Sequence, residues 1–512
     1  MAVLLTSVGV SAQNSGRRSP IVVGIVVNGL SEDYLQRLAP YFSESGFKRL
    51  MNTGLAIPNL DYGPDTDAAS ATAILYTGAA PSVNGVPASV IYDLVTNAPR
   101  HVLFDAGSIG NFTDETLSPA AIPVSTISDE LKIDTDGHGF VYSIAPDSHQ
   151  AIISAGHAGN GAFWLNDRNG SWATSTFYRD VPRSVTDRNY LNPLSKRIDT
   201  MKWEPMYPPA VYPSFTHATE RRPFKHTFPR KSSDRYFALK STPIVNTEVT
   251  DLAVGMINSQ QLGSDSEPDM LSLTYNLDLP GASPVELADA YLRLDRDLSR
   301  VLAAADMAAG RGRATVFLAG IPGSESTETD YLRFNIPTGE FSVKKAESLL
   351  NLYLIALHGN GDWVSGYHRR HFFLNRKLIK DRGLDLSDFR REVADFLIRM
   401  AGVSDAYTID DVTSGRAGEN PAATRRNISV AHSGDVIIAV NPGWKITDDG
   451  TAGQPQQQRV STGMAPAYII GPEIAPRRIE TPVDARALAP TVARAIHIRS
   501  PNGAAIPAIS VK

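Results

Sequence analysis

A run of apolar, mostly β-branched residues near the start of the chain constrains the fold most. The segment "SPIVVGIVVNGL", residues 19–30, has no polar side chain between Pro20 and Asn28. Strands that are buried on both faces of a parallel sheet have such continuous apolar runs. A helical pattern with acidic residues in its first turn follows, and Ser31 is placed to cap it. The segment therefore predicts a central parallel strand followed by a helix.

The same strand pattern returns later in the chain, in "DMLSLTYNLD" (269–278), "ATVFLAG" (314–320) and "GDVIIAVNPGW" (434–444). Between the first two lies a long amphipathic stretch, 286–307, with apolar residues three and four positions apart. Alternating strands and helices predict an α/β fold with a mostly parallel central sheet flanked by helices. Ligands in such folds bind beyond the carboxyl ends of the strands.

Composition excludes several classes of function. The 512 residues are 42% apolar, enough for about two domains or one large domain. The net charge of −5 comes from 49 basic and 54 acidic residues spread along the chain, so no basic face favours nucleic acid as a partner. Because the chain has no cysteine, disulfides, thiolate metal sites and cysteine nucleophiles are excluded.

The ends of the predicted domain follow from local patterns. Residues 1–13 form a short apolar run that ends in Ser11-Ala12 before Gln13, which is typical of a signal-peptide remnant. We therefore expect an exported, periplasmic or envelope-associated protein without a transmembrane segment in the mature chain. Residues 14–512 then form one domain, with an irregular insertion at about 160–235 and a cap insertion at about 324–427.

Several segments in order resemble one family: "GIVVNGL", "GFKRLMNTG", "LYTGAAPSVNGV", "STISDELK" and "TVFL". They are similar to the alkaline phosphatase superfamily, in the exported bacterial branch close to nucleotide pyrophosphatases and phosphodiesterases. The resemblance covers roughly residues 20–475 and implies an alkaline phosphatase-like fold with cap insertions. It also implies two zinc ions that clamp a transferring phosphoryl group, and a Thr or Ser nucleophile.

Residue by residue, the family's catalytic positions are altered here. The nucleophile falls on Ala68 or Ala69 in "GPDTDAASATAILYTG", with Thr66, Ser70 and Thr72 as the nearby hydroxyls. The phosphate-contacting positions become Ser89, in place of an Asn, and Asp147 and His149, in place of a Lys-x-Arg pair. A carboxylate in place of a cation repels a phosphate dianion, so the resemblance implies a degenerate site.

The zinc-ligand positions are altered in the same way. They read Asn28, Asp278, Ala282, Ile321 and Pro322, of which only the second is a carboxylate. Amide and aliphatic side chains are poor zinc ligands or none. His368 and His371 are candidates for a new zinc site, but they more simply predict a solvated basic patch on the cap.

These positions together favour a catalytically inactive pseudo-phosphatase that binds or scaffolds protein partners in the cell envelope. We expect no cofactor, and the sequence does not predict the oligomeric state. One alternative is a zinc-dependent phosphomonoester or phosphodiester hydrolase with a rearranged site. Another is a small-molecule or glycan binder that uses the old cleft, with Trp164 and Trp172 as candidate contacts.

Overall fold

The computed structural model describes residues 18–208, 212, 223–230, 232–323, 335–418, 421–441, 443–447, 456–457 and 463–511. The predicted signal-peptide remnant, residues 1–13, lies outside this part. None of the helices in these ranges combines the length and the apolar character needed to cross a bilayer.

The strands of the described residues are short apart from those in the centre of the main sheet. They are β1 Ile21–Asn28, β2 Leu55–Asp61, β3 Val90–Asp93, β4 Ala98–His101, β5 Gly110–Asn111, β6 Val141–Ala145, β7 Gly161–Leu165, β8 Trp172–Ser175, β9 Lys202–Trp203, β10 His226–Thr227, β11 Asp269–Asn276, β12 Thr315–Ile321, β13 Glu340–Ser342, β14 Val364–His368, β15 His371–Leu374, β16 Val403–Thr408, β17 Val436–Val440, β18 Lys445–Thr447, β19 Gln456–Gln457, β20 Met464–Ile470, β21 Arg477–Arg478 and β22 Val483–Asp484.

The helices of the described residues range from single turns to one long helix on the main sheet. They are α1 Glu32–Leu38, α2 Phe47–Thr53, α3 Ala68–Thr77, α4 Pro81–Asn84, α5 Ile127–Asp134, α6 Ser148–Ala155, α7 Arg183–Tyr190, α8 Leu194–Arg197, α9 Arg235–Lys240, α10 Ile244–Ser259, α11 Pro284–Ala309, α12 Val343–His358, α13 Arg376–Asp381, α14 Leu386–Leu397, α15 Ile409–Thr413, α16 Pro421–Asn427 and α17 Leu488–Ala495.

The central sheet has eleven strands in the order β21-β2-β20-β12-β1-β11-β6-β7-β8-β5, with β22 beside β2. β1 runs parallel to both β11 and β12, and β6 and β7 continue in the same direction. β20 and β8 are antiparallel to their neighbours. The α/β fold with a mostly parallel sheet is thus confirmed.

Alternate residues of β1 pack on opposite faces of the sheet. Val23 and Ile25 belong to the apolar cluster that contains residues of α10 and α11, whereas Val22 and Val26 belong to the cluster of α3 and α17. Helices therefore cover both faces, which explains why the whole strand is apolar. At its carboxyl end β1 brings Asn28 beside Asn276 and Ile321.

The segment predicted as irregular from about residue 160 begins instead with two strands of the central sheet, β7 and β8. Trp164 and Trp172 lie on these strands and are only 1% and 2% exposed. Their indole rings fill the core, so neither ring is available to a ligand in the cleft. Apolar and aromatic residues without a clear period form strands here because both faces are covered.

The described residues between 340 and 447 build a cap with its own apolar core. Its main sheet has the order β14-β15-β17-β16. The prediction that residues 434–444 form a strand of the central sheet is wrong, because β17 pairs antiparallel with β15 and β16 in the cap. A buried apolar strand has the same local pattern in either sheet, so only long-range pairing decides where it lies.

A fully buried carboxylate holds the cap strands together. Asp435, which is 0% exposed, accepts hydrogen bonds from the Leu374 backbone N–H at 2.9 Å, from Arg376 Nε at 3.0 Å and from Arg390 Nη2 at 2.7 Å. It thereby joins β15, α13, α14 and the start of β17, and these contacts fix the β14–β15 hairpin that faces the main sheet.

Asp435→Ala should lower the free energy of unfolding by about 3–5 kcal/mol, because the Leu374 backbone N–H and the guanidinium of Arg390, whose side chain is only 11% exposed, lose this acceptor. Urea denaturation measures the effect. As a control, Asp388→Ala removes an ion pair with Arg391 in which both side chains are more than two-thirds exposed, and should cost about 1 kcal/mol or less. Equal losses in the two variants would contradict the anchoring role of Asp435.

Candidate functional site

The turn before α3 lies at the carboxyl-end edge of the central sheet and begins the site. Asp67 is the N-cap of α3, and it forms a capping box with Ser70. Ala69 is fully buried in an apolar cluster, whereas Ala68 is only partly buried. Of the two positions predicted for the family's nucleophile, Ala68 is therefore the one near the cleft.

The Asp67 carboxylate is the most heavily bonded group of the turn. It accepts the backbone N–H of Ser70 at 3.0 Å and of Ser89 at 2.8 Å, and the two hydroxyls at 3.1 and 3.0 Å. Arg369 Nη1 donates to it at 2.7 Å. Burial alone raises the pKa of Asp67, but Arg369 and the backbone donors outweigh burial and hold this pKa far below its usual range. Asp67 is thus a permanent anion and a weak base.

A neutral network occupies the end of β1. Asn28 and Gln150 form a reciprocal amide pair, Nδ2 to Oε1 at 2.9 Å and Nε2 to Oδ1 at 3.0 Å. Gln150 Nε2 also donates to Thr72 Oγ1 at 3.1 Å, and Thr72 donates to the Ala68 carbonyl oxygen at 2.7 Å. These bonds tie β1, α3 and α6 together through uncharged groups.

The phosphate-contacting positions on α6 carry a different set of charges. Asp147 accepts from Lys240 Nζ at 3.0 Å, and Lys240 also pairs with Asp167. Burial lowers the pKa of Lys240, but the two carboxylates outweigh burial and raise it. Burial raises the pKa of Asp147, but Lys240 and the nearby imidazoles of His149 and His101 outweigh burial. The pKa of Asp147 therefore lies below its usual value. A cation is therefore present, but it comes from α9 and is neutralised.

Two imidazoles lie beside these charges. The rings of His101 and His149 have centroids 6.2 Å apart. Burial and the neighbouring His149 lower the pKa of His101 to about 4, so His101 is neutral at pH 7, and its Nδ1 accepts the Leu103 N–H at 3.2 Å. His149 Nε2 is buried and has no hydrogen-bond partner among the described residues.

The residues at the predicted metal-ligand positions do not fit a pair of zinc ions. Both amide atoms of Asn28 are bonded to Gln150, and Ile321 packs in the apolar core. Ala282 and Pro322 have no side-chain donor atom, which leaves Asp278 as the single carboxylate of the set. Within the ranges that the structure describes, no three His, Asp or Glu side chains gather where they could hold a metal ion.

The cap hairpin β14–β15 reaches the turn before α3. Its two tip residues, Arg369 and Arg370, have positive φ of 47° and 72°, as type I′ hairpin turns require. Arg369 bonds Asp67, and Arg370 forms an ion pair with Asp65. The hairpin therefore places two guanidinium groups over the start of α3.

The histidines of the hairpin do not form the zinc site that was weighed for them. His368 Nε2 donates to the Val90 carbonyl oxygen at 3.0 Å, and His371 Nδ1 accepts the Gly434 N–H at 3.1 Å. Nor are they a solvated patch, because both are partly buried between cap and core. They line a cavity between the hairpin and the turn, with Asp65, Arg370 and Tyr407.

Sequence reasoning missed Gln150, Lys240, Arg369 and Arg370 as members of this site. The two arginines carried a usable signal, since they separate two apolar runs by two residues, as in a tight hairpin. No local sequence pattern indicates Lys240 or Gln150, because each side chain reaches the site only through the packing of its helix.

A family model described as type I phosphodiesterase / nucleotide pyrophosphatase matches residues 22–465. The chain belongs to this family. Among its relatives is a protein of Myroides odoratus named as a calcium-transporting ATPase, 29% identical over 97% of this chain and 95% of that protein. Alkaline phosphatase PhoV of Synechococcus elongatus is 27% identical over 95% of this chain and 91% of its own.

Alkaline phosphatase PafA of Elizabethkingia meningoseptica is similar in sequence and in structure. The two sequences are 26% identical over 98% of this chain and 96% of that one. The crystal structure of wild-type PafA superposes with a TM-score of 0.82 at 25% identity, covering 96% of this chain and 98% of that chain. The predicted membership of the alkaline phosphatase superfamily is confirmed.

The expectation of a catalytically inactive scaffold is contradicted for this member of the type I phosphodiesterase / nucleotide pyrophosphatase family. PhoV and PafA are named as alkaline phosphatases, and the chain matches both along nearly their whole lengths. These relatives point to a phosphatase, so the hydrolase alternative is the better reading. The inactive reading required that activity depend on the family's residues at the family's positions. Without the scaffold role, no observation supports the protein partner that was expected in the cell envelope.

His371 should make the folded chain acid-sensitive. Burial, together with Arg370, Arg369 and His368, lowers its pKa to about 3, against about 6.5 in an unfolded chain. Above pH 6.5 the imidazole is neutral in both states. As the pH falls from 6.5 towards 3, only the unfolded chain takes up this proton, so stability falls by at most about 1.4 kcal/mol per pH unit.

Urea denaturation at pH 7, 6 and 5 measures this dependence. His371→Gln keeps a polar side chain but removes the titration, and should lose less stability over this range than the parent chain. An unchanged pH dependence in the variant would show that His371 is not held neutral.

Proposed function

We propose that this chain is a phosphate-ester hydrolase of the type I phosphodiesterase / nucleotide pyrophosphatase family, with a rearranged site. The observation that carries the proposal is the end-to-end similarity to the alkaline phosphatases PhoV and PafA, in sequence and, for PafA, in fold. An α/β sheet binds its ligands beyond the carboxyl ends of its parallel strands, here β1, β11 and β12.

The residues at the family's catalytic and metal-ligand positions differ from the family pattern at nine places. These are Ala68, Ala69, Ser89, Asp147, His149, Asn28, Ala282, Ile321 and Pro322. Of the nearby hydroxyls, Ser70 and Thr72 are fully buried and bonded within α3. Thr66 and Ser89 are both partly exposed, and Ser89 is the one that is fixed in place, by its hydrogen bonds to Asp67.

The proposed hydrolysis does not depend on zinc held by the family's positions, because the donor set described above cannot bind a zinc pair. Lys240 is neutralised by Asp147 and Asp167, so positive charge for a phosphoryl group comes instead from the cap hairpin, at Arg369. The identity of the ester, monoester or diester, is open in this proposal, and the experiment below includes both.

Export to the periplasm or envelope is part of the proposal. It is supported by the apolar segment that ends at Ser11-Ala12. The reading as a glycan binder receives no support, because the aromatic residues that favoured it, Trp164 and Trp172, are buried in the core.

Hydrolysis of p-nitrophenyl phosphate and of bis(p-nitrophenyl) phosphate by the purified full chain tests the proposal. We expect release of p-nitrophenol above the rate in buffer, and this rate should survive treatment with EDTA. Ser89→Ala should lower kcat at least about tenfold, because it removes a group that contacts the substrate. The matched control is Ser82→Ala, an exposed serine on α4, which should act like the parent chain.

No turnover of either ester, with or without added zinc, would refute the hydrolase. Turnover that EDTA abolishes and zinc restores would refute the metal-free site. Equal rates in the Ser89→Ala and Ser82→Ala variants would remove Ser89 from the site.

A further inference from the structure

Arg369 is the most accessible of the cations that the described residues bring to the site. Its side chain is 34% exposed, against 19% for Arg370 and 10% for Lys240. Lys240 is held by two carboxylates, Asp147 and Asp167. The guanidinium of Arg369 donates at 2.7 Å to Asp67 and, weakly, at 3.4 Å to the Asp65 carbonyl oxygen.

A guanidinium has five N–H donors in a planar fork that matches a phosphoryl group. Two N–H donors of Arg369 bind oxygen atoms of the turn, and its other N–H donors have no partner among the described residues. Because the side chain lies against Asp67, directly before the partly exposed Ala68, its remaining donors are close to the start of α3.

We propose that Arg369 binds the phosphoryl oxygens of the substrate and so replaces, from the cap, the cations that the family carries on the core. This inference rests on the proposed function, since it assigns a residue to the same site. At the family's phosphate-contacting positions the chain has Asp147 and His149, and Asp147 is neutralised by Lys240. The hairpin tip therefore supplies the accessible positive charge that a phosphate ester needs at this edge of the sheet.

Asp67 has two opposing effects on this binding. Its carboxylate holds the guanidinium in place at the turn, which reduces the conformational entropy lost when a ligand binds. Its fixed negative charge also opposes a phosphate dianion and competes for the same donors.

Isothermal titration of the full chain with inorganic phosphate tests the inference without requiring turnover. Arg369→Gln should weaken binding about 10- to 100-fold, the usual range for losing charged hydrogen bonds to phosphate. Arg369→Lys should fall between the parent chain and Arg369→Gln, because it keeps the charge and loses the fork.

The control is Arg391→Gln, which makes the same charge change on the exposed face of α14 in the cap. Thermal melting of each variant separates weakened binding from unfolding. Equal phosphate affinity in Arg369→Gln and Arg391→Gln, or no binding by the parent chain, would overturn the inference.

Turnover distinguishes this inference from the proposed function. If the parent chain hydrolyses an ester and Arg369→Gln raises its KM about tenfold or more with little change in kcat, both stand. If phosphate binds through Arg369 but no ester is hydrolysed, the inference stands and the hydrolase fails. If hydrolysis occurs with the same KM and the same phosphate affinity in Arg369→Gln, the hydrolase stands and the inference fails.

Discussion

The Asp67 carboxylate is the interaction on which the arrangement of the site depends. It caps α3, fixes the loop of Ser89 through two hydrogen bonds, and pairs with Arg369 on the cap. Three segments that are distant in sequence therefore meet at one anion. Because its pKa is held far below the usual range, this anion persists wherever the protein is folded. The cap hairpin can keep its strained tip at the turn because an ion pair holds it there.

Around this anion, hydrogen bonds between uncharged groups join the elements of the site. The end of β1 is joined to α3 and α6 through an amide pair and a hydroxyl, which need no counter-charge. The charges that remain are paired across elements: Asp147 with Lys240, Asp65 with Arg370 and Asp67 with Arg369. A phosphate ester that enters this cleft must compete with these pairs, so the cations that are least enclosed govern binding.

The sequence predicted those parts of the fold that are encoded locally. β1, β11 and β12 were predicted because burial on both faces requires an unbroken apolar run. β17 has the same pattern but lies in the cap, because its partners are β15 and β16. The ion pair of Asp67 with Arg369 joins residues 302 positions apart, and no local pattern could indicate it. The fold class and the family followed from ordered segments, whereas the loss of activity inferred from single positions was wrong.

The most direct test of the central claim is a double-mutant cycle between Asp67 and Arg369, measured as the free energy of unfolding in urea. If Asp67 ties the cap to the turn, Asp67→Asn and Arg369→Gln should be non-additive, with a coupling energy of at least about 0.5 kcal/mol. Effects that add to within about 0.3 kcal/mol would contradict the claim, because they would show that the two residues do not interact in the folded chain.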